Sequence, residues 1–282
     1  MPNENLSYYE ALAADTAVRV TQSINDWTAF LRTAARLYKY PFQEQLLIFA
    51  QRPDATACAD YDTWNTRMHR YVKRGGHGIA LIDESGGYPR VKHVFDITDT
   101  GTGPNSLTPY LWNLQPEHFR TVSDALAQRF GIVSGDENAL LAQLRAVYSY
   151  LTAEFLENNF TDILRIVDNS LLSGYDESEI KAAFQNATVE SAVYMTTLRC
   201  GLDPEPAFSP AAFHRVAAFN TPASLRLLGR AVSEGSEQVL RTVEVAVKKY
   251  ERERLKSAER SVNYDRAEEG AEVRPGVLRG AD

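Results

Sequence analysis

The chain has 282 residues, 44% hydrophobic and 24% charged, with 12 prolines and 16 glycines, a profile that excludes a fully disordered chain, a collagen and a membrane protein. Its formal charge of -7 and pI near 5.4 argue against a protein that coats nucleic acid over its whole surface. At this length the expectation is two compact units, or one unit and a tail.

The first ten residues are polar and acidic, without a basic region followed by an apolar one, and no run approaches eighteen uninterrupted apolar residues; a cytoplasmic location with no membrane contact is expected. Cys58 and Cys200 are the only cysteines, too few for a disulfide framework, so both read as free thiols.

Residues 20–38 read as an amphipathic helix, since Trp27, Phe30, Leu31, Ala34, Ala35 and Tyr38 recur at helical spacing. Pro41 ends that pattern, a short apolar helix follows over 42–51, and Pro53 closes it. Asp60 or Asp62 then caps a third helical stretch to about Tyr71, which Gly75 and Gly76 break. Two strand-like runs, 78–83 and 90–96, flank Ser85, Gly86 and Gly87 and predict a hairpin with a slightly extended loop. Residues 97–116, rich in glycine and proline, read as an irregular connector. Beyond Pro116 the pattern is helical: one apolar stripe runs from Leu140 to Phe155, others over 160–172 and 177–199, and a last one from Thr221-Pro222 to about Lys256. The apolar pattern then fades. The expected fold class is α+β: N-terminal helices packed on a small hairpin-containing sheet over 1–115, an all-helical domain over 116–257, and a charged disordered tail or linker over 258–282.

The charge is unevenly placed. Residues 27–99 hold ten Lys or Arg against eight Asp or Glu, a net of +2, which leaves -9 for the remainder. The cations crowd into the segment from Arg67 through Arg70, Lys73 and Arg74 to His77, which has no carboxylate. Cations beside aromatics and a glycine turn suit a single nucleic-acid strand, because cations meet phosphates, aromatic faces stack on bases and glycine lets backbone amides approach. The alternative is a solvated helix end whose cations complement the helix dipole.

Three segments lie in order: Gln43-Glu-Gln45-Leu-Leu-Ile-Phe-Ala-Gln51-Arg52-Pro, Tyr61-Asp-Thr-Trp64, and Arg70-Tyr-Val-Lys73-Arg74-Gly75-Gly-His-Gly78-Ile-Ala-Leu-Ile. This order resembles the N-terminal domain of ArdC-type antirestriction proteins, as found at the head of large conjugative-element proteins that carry helicase and methylase regions downstream. The resemblance spans about residues 20–100. It implies non-enzymatic binding of single-stranded DNA and protection of transferred DNA from host restriction. Gln45, Gln51, Trp64, Arg70, Lys73, Arg74, Gly75 and Gly78 match the family pattern; with Tyr40 and Arg52 they form the expected DNA-binding set. In that set Arg70, Lys73 and Arg74 would hold phosphates, with Tyr40 and Trp64 near bases. Where the pattern often has a cation near the second glycine, this chain has Gly76 and His77. Many relatives continue into a zinc metallopeptidase-like domain, but His69, His77, His93, His118 and His214 form no His-Glu-x-x-His motif, and no phosphate loop of the G-x-x-x-x-G-K-[ST] type occurs. No cofactor or metal is therefore expected.

Two further patterns are weaker. Asp99-Thr100-Gly101 spells the aspartic protease triplet, but without a strongly apolar strand before it the triplet reads as a capped turn. Cys58 with His69, His77 and His93 matches no zinc spacing. Two other functional classes stay open: an acidic inhibitor that occupies the DNA site of a host defence nuclease, and a non-catalytic segment of a larger helicase or methylase.

Overall fold

The computed structural model describes residues 2–133, 140–204 and 209–272. It is an α+β protein, mostly helical, with two small antiparallel strand groups. Helices α1 (Pro2–Val20), α2 (Ile24–Arg36) and α3 (Phe42–Gln51) precede strands β1 (Cys58–Ala59), β2 (Arg70–Val72), β3 (Ile79–Asp83), β4 (Arg90–Asp96) and β5 (Thr100–Thr102). Helices α4 (Phe119–Phe130), α5 (Leu140–Val167), α6 (Glu177–Arg199), α7 (Pro210–Ala217) and α8 (Pro222–Glu272) follow.

Local chemistry sets most of these boundaries. The helix expected over 20–38 begins at Ile24, because the Ser23 hydroxyl accepts the Asp26 amide at 3.1 Å and caps α2. Its apolar stripe buries Trp27, Phe30, Leu31, Ala34 and Ala35, and the Trp27 indole donates to Ser191 Oγ on α6 at 3.1 Å. Helix α6 starts with a reciprocal cap: Asp176 accepts the Ser178 and Glu179 amides while Glu179 accepts the Asp176 amide. Gly131, in the left-handed region at φ 71°, closes α4.

The expected hairpin forms as β3 and β4, with Ile79 opposite Val94 and Asp83 opposite Arg90, and β1 adds on the other edge of β4. The expected third helix over 60–71 forms only in its first half, where the Asp60 carboxylate caps it by accepting the Thr63 amide at 2.6 Å. Residues 61–67 are helical, with Thr63–Arg67 as a wide turn; His69 then adopts φ 51° and Arg70–Val72 pairs with Thr100–Thr102. Strand pairing to a segment thirty residues on outweighs a weak local periodicity. The connector over 97–116 is accordingly not all irregular, since it supplies β5.

A boundary near residue 115 does not divide the core. One apolar cluster runs from Ala17 and the α2 stripe through Trp112 and Leu114 to α4–α8. A second, smaller cluster holds the hairpin against α3, with Leu37, Leu47, Ile48, Ile79, Leu81 and Val94 buried and Tyr9 and Leu12 of α1 alongside. The N-terminal helices thus belong to both layers: α2 serves the large cluster and α3 joins it to the sheet. Helix α8 passes the point where apolar residues fade and continues to Glu272. Alternating Glu, Arg, Lys and Ala favour helix without needing a buried face, so the tail expected to be disordered from 258 is helical as far as Glu272; 273–282 lie outside the described residues.

Candidate nucleic-acid interface

Six of the candidate residues, Arg52, Trp64, Arg70, Lys73, Arg74 and Gly75, lie at or next to the ribbon of β2 and β5, in which Arg70 faces Thr102, Tyr71 faces Gly101 and Val72 faces Thr100. Tyr40, Gln45, Gln51 and Gly78 lie instead against the end of α2 and the sheet of β1, β4 and β3. The turn after β2 is closed by the Gly76 amide on the Lys73 carbonyl at 2.9 Å. Gly75, at φ 84°, occupies a conformation that L side chains rarely adopt, with open space around it. The Lys73 amide donates to the Asp99 carbonyl at 2.8 Å, which fastens the turn to the start of β5.

Six of the ten expected residues are committed to holding this region together. Trp64 is 2% exposed, and its indole donates to the Phe95 carbonyl at 2.8 Å. Arg70 is buried, places its guanidinium 6.0 Å from the Trp64 ring centre and donates through Nε to Thr100 Oγ1 at 2.8 Å. Gln45 is buried and donates to the Leu37 carbonyl at 3.3 Å. Gln51 imitates a neighbouring strand: its Nε2 donates to the Ala80 carbonyl at 2.8 Å and its Oε1 accepts the Ala80 amide at 2.9 Å. Arg52 pairs with Asp99 and donates to Thr98 Oγ1 at 2.8 Å. Tyr40 packs on the sheet cluster and donates to the Cys58 carbonyl at 2.7 Å; burial pushes its hydroxyl pKa up. An exposed Tyr40 and a base-stacking Trp64 were the expectation, and the fold places both rings against protein.

The remaining four lie at the surface. Lys73 and Arg74 are exposed; Lys73 Nζ donates to the Thr98 carbonyl at 3.0 Å, and Arg74 has no partner among the described residues. Gly75 forms the turn, and Gly78 lets the His93 ring approach to 3.2 Å of where a Cβ would stand. Tyr71 on β2 and Arg67 on the helical turn before it, both outside the expected set, are exposed as well. The Tyr71 ring lies across Gly101, whose missing Cβ would fall 2.3 Å from Tyr71 Cζ. Strand alternation is the signal that would have found Tyr71: with Arg70 inward, its neighbour must point out.

Asp96 anchors the site from beneath. It is 1% exposed and accepts the Thr56 amide at 2.6 Å, the Ala57 amide at 3.1 Å and the Thr98 amide at 3.0 Å. Burial alone would raise its pKa, but these hydrogen bonds outweigh it and hold the carboxyl below its ordinary value. Asp99-Thr100-Gly101 is a structural turn: Asp99 pairs with Arg52, and Thr100 Oγ1 accepts Arg70 while donating to the Ile97 carbonyl at 2.7 Å. Among the described residues no group of three or more His, Cys, Asp and Glu side chains could hold a metal ion. Nor is any described helix long and apolar enough to cross a membrane.

No protein-family profile, no curated protein and no solved structure matches this chain.

Proposed function

We propose that this chain is a non-enzymatic, single-stranded DNA-binding protein of antirestriction type, with an ArdC-like N-terminal region. The observation that carries this reading is the exposed side of the β2–β5 ribbon, where Lys73 and Arg74 flank a glycine turn next to the open ring of Tyr71, with Arg67 exposed on the helical turn that precedes β2. Cations able to meet phosphates and a flat ring able to stack on a base are what a single strand requires of a surface. The patch is small and the chain as a whole is acidic, which favours one strand over broad coating of a duplex. The contact set in this reading is Arg67, Tyr71, Lys73 and Arg74; Trp64, Arg70 and Arg52 shape the ribbon that presents them.

Fluorescence anisotropy with a labelled single strand at several salt concentrations tests it. Affinity should fall steeply with salt. A combined Arg67→Ala, Lys73→Ala, Arg74→Ala variant should flatten the log–log salt slope by about 2, at roughly 0.7 per lost phosphate contact. Tyr71→Ala should weaken binding by about 1–3 kcal/mol with an unchanged slope. A triple variant that binds as tightly as the parent overturns the reading.

A further inference from the structure

We propose that Arg32, Arg36 and Arg199 form a binding site for the phosphate of a nucleotide, separate from the ribbon. They line a cavity of about 470 Å³ together with Ala35, Thr56, Leu111, Asn113, Leu198 and Gly201, and no carboxylate is among its walls. A smaller cavity of about 190 Å³ adjoins it, sharing Arg36, Thr56, Leu111 and Arg199 and adding Tyr38, Tyr40, Tyr110 and, with Lys39, the Glu244 carboxylate. The combined space falls in the range of small-molecule sites, mostly apolar with a few convergent polar groups.

Two of the three guanidinium groups are fixed before any ligand arrives. Arg199 lies 3.8 Å from the Trp112 ring centre and donates through Nη1 to the Trp112 carbonyl at 2.8 Å. Arg36 donates through Nε to the Ala55 carbonyl at 2.7 Å, and through Nη2 to the Pro53 carbonyl at 2.7 Å and to Thr33 Oγ1 at 3.2 Å. Its Nη1 has no hydrogen-bond partner among the described residues. Arg32, one turn earlier on α2, stands exposed at the mouth.

None of the three forms an ion pair among the described residues, although Arg36 and Arg199 are half-buried. The carboxylates within electrostatic reach are engaged elsewhere. Glu244, which faces Arg199, accepts Tyr38 at 2.6 Å, Lys39 at 2.8 Å and Lys248 at 2.6 Å. Asp96, which acts on Arg36, is taken up by the Thr56, Ala57 and Thr98 amides, and Asp54 lies 3.7 Å from Arg52. Burial lowers the pKa of both Arg36 and Arg199, as expected of cations desolvated without full compensation. A planar fork of donors matches phosphate oxygens two at a time. The phosphate then sits on the three guanidinium groups, with sugar and base against Leu111 and Leu198. A free nucleotide and the terminal phosphate of a DNA strand share this chemistry.

Isothermal titration of the full chain decides between them, using AMP, adenosine, and a short thymidine strand with and without a 5′-phosphate. AMP is expected to bind at least tenfold more tightly than adenosine. Arg32→Gln and Arg36→Gln should each weaken AMP roughly tenfold, the loss of one charge-assisted contact. Arg32→Gln should leave the melting temperature unchanged, since its side chain is exposed and unpartnered. If the 5′-phosphorylated strand outcompetes AMP and its unphosphorylated counterpart does not, the phosphate belongs to a DNA end; if AMP wins, to a free nucleotide. The Arg67, Lys73, Arg74 triple variant should bind AMP like the parent, so this site and the ribbon fail or stand separately. Equal affinity for AMP and adenosine, parental affinity in both arginine variants, or no binding of either phosphorylated ligand overturns the proposal.

Discussion

The sheet layer and the helical body are held together by different means. In the body, Trp27, Phe184, Phe219 and the leucines of α4–α8 exclude water by contact between apolar side chains. In the sheet layer, strands of two to seven residues are fixed by side chains that bond to backbone: Gln51 to Ala80, Asp96 to the loop after α3, Trp64 to Phe95 and Arg36 to Ala55. Strands this short cannot stabilise themselves, so polar side chains replace missing ladder partners. Residue types that signal function elsewhere are therefore structural here, and the free surface is left to their sequence neighbours.

The largest expected effect tests that contrast. Asp96→Ala leaves the part-buried hydrogen bonds of the Thr56, Ala57 and Thr98 amides without an acceptor and should cost about 3 kcal/mol by denaturant unfolding, although it removes little apolar contact. A loss under about 1 kcal/mol would mean that the sheet layer rests on its apolar cluster like the body.

The body should instead respond to volume. At Gly229 on α8 an added Cβ would sit 2.3 Å from the Phe42 ring, which is buried between α3 and α8. Gly229→Ala should destabilise by about 2 kcal/mol, and a paired Phe42→Leu change should recover part of it.

Between the layers, Glu244 supplies a pH-dependent link. Burial would raise its pKa, but hydrogen bonds from Lys248, Lys39 and Tyr38 outweigh it and hold the carboxyl at about 2. Since the folded value lies below the unfolded value of 4.5, the stabilisation is complete above pH 4.5 and is lost as pH falls toward 2. The melting temperature should drop through this window, and Glu244→Gln should flatten that part of the profile. A parental profile in the variant would place the acid sensitivity elsewhere.

The smallest effect is a gain. At Gly235, six residues along α8, an added Cβ meets Tyr148 at 3.6 Å, an ordinary contact. Gly235→Ala should stabilise by up to about 1 kcal/mol through reduced backbone freedom in the unfolded chain.

The sequence carried the local part of this fold. Helix α3, the β3–β4 hairpin and the start of α8 follow from proline, glycine and apolar spacing, because those signals act within a few residues. The clustering of cations between Arg67 and Arg74 was likewise legible, as was the absence of a zinc or phosphate-loop motif. Helix α1 escaped notice because its contacts, Tyr9 and Leu12 on the sheet cluster and Ala17 on the main core, make too sparse a stripe. What only the tertiary structure decided is which residues of the cationic segment are free. Pairing of β2 with β5 ended the predicted helix early and turned its last residues into a ribbon, with Arg70 inward and Tyr71, Lys73 and Arg74 outside. Packing of α2 against α6 brought Arg32 and Arg36 to Arg199, more than 160 positions away. Local sequence fixes dihedral preferences and periodicity, whereas the facing of a side chain depends on the partner its element finds, and that partner lies far along the chain.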